Sequence, residues 1–141
     1  MSVTQIIPQL WLGDKLISQK KSFFDDKNIT VVINCTKEIK FMDNKITYRL
    51  DIDDDLSTIT MQKMYSEIYK IIDFIDNEIE KGNNILVHCL KGKQRSANIV
   101  AAYLMKYSRI NYTAAMKYIQ SKRPICFTPS NNFEMVLKKI E

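Results

Sequence analysis

Histidine is nearly absent from this chain: His88 is the only one, and the three cysteines, Cys35, Cys89 and Cys126, stand far apart. Zinc sites draw on clustered Cys and His pairs, so no metal site is expected. An odd number of widely spaced cysteines also argues against a disulfide framework and for a reducing, cytoplasmic setting. Glycine and proline are scarce, three of each, which argues against collagen-like repeats, disorder and a loop-dominated scaffold. Long apolar runs are missing as well. The stretch from Ile99 to Met105 is among the longest, far below the roughly 18 to 20 residues of a membrane span. The polar start after Met1 does not resemble a signal peptide. Basic residues are scattered without a run, and 21 Lys and Arg against 16 Asp and Glu give +5. That excess fits an anionic substrate and gives nucleic-acid binding no particular support.

What is present suits one domain spanning 1–141, because 141 residues with 45% hydrophobic content can bury one core. Residues Ile6 to Leu12 have strand character, broken by Pro8 and closed by Gly13. Asp14 to Phe24 reads as a short helix. Thr30 to Asn34 is a continuous apolar run, the mark of a buried strand. Ile46 to Ile52 alternates, with Tyr48, Leu50 and Ile52 on one face. Met64, Ile68, Ile71, Ile72, Ile75 and Ile79 form one helical stripe between Thr60 and Lys81, stopped by Gly82. Asn84 to Cys89 is a further buried strand. Arg95 to Tyr107 is helical and apolar on nearly all sides, as a central helix would be. Thr113 to Lys122 is a helix halted at Arg123-Pro124, and Ser130 is a candidate N-cap for a last helix ending near Ile140. The expected fold class is α/β, a central, mostly parallel sheet flanked by helices.

The segment His88-Cys89-Leu90-Lys91-Gly92-Lys93-Gln94-Arg95-Ser96 lies between a buried strand and a helix start. A helix N-terminus exposes unpaired N–H groups and a positive dipole end, which favour an anion. Gly92 permits the curvature that aims successive N–H groups inward. A cysteine so placed favours the thiolate. Arg95 can hold two phosphate oxygens with its fork, and Ser96 can donate to the Cys89 sulfur. A lone cysteine after an apolar strand is usually inert core, and that reading is kept for Cys35 and Cys126. For Cys89, the glycine, arginine and serine that follow reverse it.

His88 suggests a Cys–His protease dyad, but neighbours on a strand point to opposite faces, and no other histidine can serve as base. Its expected part is to order the loop from behind. Phosphate transfer from an alcohol also needs a proton donor for the leaving oxygen. Asp51, Asp53, Asp54 and Asp55 follow a strand and precede the long helix, so they sit on a loop that can supply one.

The signature from His88 to Ser96 resembles that of the protein-tyrosine-phosphatase superfamily, and the Ser-Ala after Arg95 resembles the dual-specificity phosphatases in particular. Pro8 to Asp14, Ile29 to Thr36, Asp73 to Asp76, and the segments "RSANIVAAYLM" and "RPICFTPSNNF" extend the likeness over nearly the whole chain. The resemblance implies a phosphatase-type P-loop, a phosphocysteine on Cys89, and no cofactor. It also implies Arg95 and the backbone amides from Leu90 to Arg95, including those of Lys91, Gly92, Lys93 and Gln94, around the phosphate. It makes Asp54 the general acid, with Asp53 and Asp55 as alternatives. Phosphoprotein substrates carrying phosphotyrosine, phosphoserine or phosphothreonine follow. The chain shows no obvious appended dimerisation segment, so a monomer is expected. Lys91 and Lys93 leave two alternatives open: a phosphoinositide or inositol phosphate, and an RNA 5′-phosphate. A catalytically dead phosphate-binding module is the rival outside enzymes.

Overall fold

A computed structural model describes all of residues 1–141. A five-stranded sheet is built from β1 (Val3–Ile7), β2 (Leu10–Gly13), β3 (Ile29–Asn34), β4 (Ile46–Arg49) and β5 (Asn84–His88), in the order β1-β2-β5-β3-β4. Only the β1–β2 hairpin is antiparallel; β2, β5, β3 and β4 run parallel. The mostly parallel α/β sheet is therefore present. Its central strand is the one that delivers Cys89.

Alternation along the central strands sends side chains to two cores. Leu10, Leu12, Val31, Ile33, Ile85 and Val87 join the larger one. It is covered by α2 (Thr58–Glu80), α3 (Arg95–Tyr107), α4 (Tyr112–Lys122) and α5 (Glu134–Ile140). Trp11, Val32 and Leu86 face the other way, against Ile17 and the aromatic pair Phe23 and Phe24 of α1 (Lys21–Lys27). A sheet with both faces covered needs strands that are apolar on both sides, as β3 and β5 are. Helix α3 is buried at every position from Arg95 to Leu104. It is the central helix, joined to α2 where Asp73 accepts from Lys106 at 2.7 Å and from Tyr107 at 2.5 Å.

Four local expectations change. Ile6 to Leu12 is two strands, because the chain reverses at Pro8 and Gln9, the latter at φ 71°. Asp14 to Phe24 is no single helix: a 3-10 turn, Ile17–Gln19, precedes α1, separated by an extended Lys20. Asp14 starts that turn by accepting from the Ile17 N–H at 3.0 Å. Strand β4 ends at Arg49, although Leu50 and Ile52 beyond it stay buried. Ser130 is not the cap of α5; Phe133 holds that place, and the Ser130 carbonyl instead accepts from Gln94 at 2.8 Å.

The stripe on α2 carries much of the core, with Ile68, Ile71, Ile72 and Ile75 fully buried. Ile72→Ala is expected to cost about 3 kcal/mol of stability, and Ile59→Ala, at a residue 78% exposed, well under 1 kcal/mol. Urea denaturation of the two variants checks the contrast.

Candidate active site

Parallel strands of an open sheet present ligand sites at their carboxyl ends. Strand β5 ends there between Gly13 of β2 and Asn34 of β3, both paired with His88. Cys89 follows at once. Its Sγ lies 3.0 Å from Ser96 Oγ on the first turn of α3. A small pocket of about 140 Å³ is lined by Cys89, Leu90, Lys91, Lys93, Gln94, Arg95 and Asp54.

The loop from Cys89 to Gln94 owes its shape to where its carbonyls go. The Leu90 carbonyl accepts from Lys15 N–H at 3.1 Å, and that of Lys93 from Phe127 N–H at 2.9 Å. Between them, the Gly92 carbonyl accepts from Arg123 Nε at 2.8 Å and the Lys91 carbonyl from Arg123 Nη2 at 3.2 Å. Across a trans peptide the N–H points opposite to the preceding C=O. Four carbonyls bound from outside thus turn the N–H groups of Lys91, Gly92, Lys93 and Gln94 away from those partners. None of these donates to a protein backbone acceptor. Gly92 sits at φ +68°, and a Cβ there would come within 2.6 Å of the Gly13 carbonyl and 2.7 Å of Arg123 Nη2. Only glycine fits.

Arg95 and Arg123 are 7% and 4% exposed. Neither appears in an ion pair with a carboxylate. Buried charges ordinarily carry a partner, so two guanidiniums without a carboxylate, near a row of free amides, form an arrangement that could hold an anion. Arg95 Nη1 donates to the Ile52 carbonyl at 3.0 Å, and its Nε has no partner within the protein. The Ile52 contact fixes the acidic loop two residues short of Asp54.

The three candidate aspartates have different surroundings. Asp53 pairs with Lys37 at 3.2 Å. Asp55 accepts from the Ser57 N–H and hydroxyl ahead of α2, at 3.0 and 2.8 Å, and hydrogen bonds from Thr60 and Ser57 hold its carboxyl below the usual range. Asp54 alone lines the pocket, held by Asn132 Nδ2 at 2.8 Å.

The family model for the catalytic domain of dual specificity phosphatases matches residues 10–141. The chain belongs to that family. It is 29% identical over 142 residues to dual specificity protein phosphatase 1 of Arabidopsis thaliana, covering 99% of this chain and 70% of that one. Protein 123R of Invertebrate iridescent virus 6 is 33% identical over 145 residues, covering 100% and 93%. The chain spans only 20% of the tyrosine-protein phosphatase vhp-1 of Caenorhabditis elegans, at 27% identity over 93% of its own length. A leucine rich repeat and phosphatase domain containing protein from Entamoeba histolytica superposes with a TM-score of 0.84 at 27% identity, covering 99% and 90%. Human DUSP28 has the same fold, with a TM-score of 0.88 at 20% identity and coverage of 99% and 92%.

Within this dual specificity phosphatase domain, three residues matter that the sequence did not mark. Arg123 looked like a helix stop, yet it binds two loop carbonyls and, through Nη1 and Nη2, Thr4 Oγ1 at 3.0 Å and Ser2 Oγ at 2.8 Å. Asn132 holds Asp54. Asn131 Oδ1 accepts from Asn98 Nδ2 at 2.8 Å, and Gln94 Nε2 donates to the Thr128 and Ser130 carbonyls. Together these contacts lock the segment before α5 to the start of α3. An arginine just before a proline, and two asparagines before an apolar helix, were the only sequence signals.

His88 orders the loop less than expected. Its Nδ1 lies 3.4 Å from the Cys89 carbonyl and its Nε2 has no partner. Burial pushes its pKa down to about 4. Cys35 and Cys126 are fully buried. Burial raises both thiols, that of Cys126 to about 12, so both stay protonated in the core.

Because folded His88 stays neutral where an unfolded histidine charges, its contribution to stability is complete above pH 6.5 and is lost as pH falls toward about 4. Denaturation at pH 7 and pH 5 should show the native protein losing about 2 kcal/mol more than His88→Asn. Equal losses would mean His88 charges without cost. Arg123→Met strands the buried Gly92 carbonyl and the half-buried Lys91 carbonyl and should cost about 2 kcal/mol, read by urea denaturation.

Proposed function

We propose that this chain hydrolyses phosphotyrosine, phosphoserine and phosphothreonine in proteins through a phosphocysteine on Cys89. The observation that carries it is the Cys89 sulfur in a pocket shared with Arg95, Asp54 and the free amides of the loop. The thiolate attacks phosphorus, a P–S bond forms, and the P–O bond to the substrate breaks. Asp54 gives its proton to the departing oxygen, which would otherwise leave as an alkoxide. Charge that grows on the phosphoryl oxygens meets the amides of Lys91 to Gln94 and the guanidinium of Arg95, donors fixed before reaction. Water then attacks phosphorus, Asp54 takes its proton, and the P–S bond breaks to release phosphate. The Ser96 hydroxyl, 3.0 Å from Sγ, donates to the thiolate as it leaves.

No cofactor enters this sequence. Unbridged cysteines suit a reducing compartment such as the cytoplasm, and no helix is long and apolar enough to cross a membrane. A second reading rests on Lys91 and Lys93, which both line the pocket. Two cations beside the first phosphate favour a substrate with several, such as a phosphoinositide, an inositol phosphate or a 5′-triphosphorylated RNA.

Cys89→Ser should abolish phosphate release yet retain phosphate binding. Asp54→Asn should lower kcat on phosphothreonine peptides roughly 100-fold or more, while Asp53→Asn and Asp55→Asn stay within a few-fold. The largest loss at Asp53 or Asp55 would move the proton donor there. Faster turnover of polyphosphorylated molecules than of peptides would favour the second reading, and turnover insensitive to Cys89→Ser would sink both.

A further inference from the structure

A second hollow lies between the N-terminal half of α2 and α5. It measures about 410 Å³ and is lined mainly by Leu56, Met61, Tyr65, Met135, Val136 and Lys139. Leu56 and Met135 are 75% and 71% exposed, and Ile59 extends the apolar surface beside them. Contiguous exposed apolar surface of this kind marks a binding site more often than chance.

The same two chain segments bear on both hollows. Asp54 lines the catalytic pocket and stands two residues before Leu56. Asn132, which holds Asp54 at 2.8 Å, stands three residues before Met135. At about 3.3 Å per extended residue, Leu56 begins within roughly 7 Å of Asp54. A peptide whose phosphate rests on Cys89 and whose chain passes over the Asp54–Asn132 bond would reach the hollow within about two to four residues. No carboxylate lines the hollow, and its one cation, Lys139, sits 4.4 Å from the centre of the Tyr65 ring. That lining suits an apolar side chain.

We propose that this hollow receives a large apolar side chain of the phosphoprotein substrate, two to four residues from the phosphorylated one. The proposal rests on the phosphatase reading of Cys89. It makes Leu56 and Met135 specificity residues that touch substrate away from the reacting atoms. Removing such a contact affects peptides and spares a substrate too small to reach it.

The experiment uses the full chain carrying Cys89→Ser, titrated with phosphotyrosine peptides that bear Leu or Ala at each of four positions on either side. Leu at a position two to four residues away should tighten binding about ten-fold over Ala. Leu56→Ser and Met135→Ser, added singly to that background, should each remove most of the preference. In the Cys89 form, the same two variants should leave turnover of p-nitrophenyl phosphate within two-fold, which also reports that they fold. Equal binding of Leu and Ala peptides at every position overturns the proposal, as does a preference that survives both variants. A dimer of the native chain that either variant dissociates would assign the hollow to a second copy, and overturns it too. Failure of the native chain to turn over p-nitrophenyl phosphate strikes the phosphatase reading itself, whereas equal peptide binding with turnover intact strikes only this one.

Discussion

Everything in this site depends on a loop whose carbonyls are bound from behind. A run of backbone amides can face an anion only if the carbonyls between them are satisfied elsewhere, since a buried unpaired carbonyl costs about as much as a lost hydrogen bond. Here Lys15, Arg123 and Phe127 satisfy the carbonyls of Leu90 to Lys93. Arg123 contributes twice, because its donors bind two of those carbonyls while its charge stays unmatched. That charge would favour a dianion at the loop, as would the positive end of the α3 dipole.

The same economy joins the loop to the acidic segment across the sheet. Arg95 reaches the Ile52 carbonyl, and Asn132 reaches Asp54 from the opposite side. The Asp54 segment is therefore tied to α3, through Ile52 and Arg95, and to the segment before α5, through Asn132, which Gln94 in turn ties to the Cys89–Gln94 loop. The Asp54 carboxylate is thus held at one place while staying exposed. The apolar hollow between α2 and α5 draws on the same two chain segments, through Leu56 and Met135.

Much of this was legible in the chain. The apolar runs of β3 and β5, the α2 stripe and the all-round apolar α3 follow from periodicity alone. Cys89, Gly92, Arg95 and Ser96 could be singled out because their spacing is local, and the structure gathers them at one strand–loop–helix junction. What could not be read is non-local. Arg123 acts on Gly92 from 31 residues away, and Asn132 acts on Asp54 across 78. No pattern of neighbours encodes such pairs. The hairpin at Gln9 and the 3-10 turn at Ile17 were missed for another reason. Both depend on single residues, one at positive φ and one aspartate side chain, too slight a signal against the surrounding hydrophobicity.

The central claim is that phosphate passes through the Cys89 sulfur. The most direct measurement is rapid mixing with a phosphopeptide, an acid quench, and mass spectrometry of the digested protein. The account predicts a phosphate adduct on the peptide containing Cys89, formed no later than the first released product and absent from Cys89→Ser. Phosphate released with no adduct at any quench time, or an adduct on another residue, would contradict it.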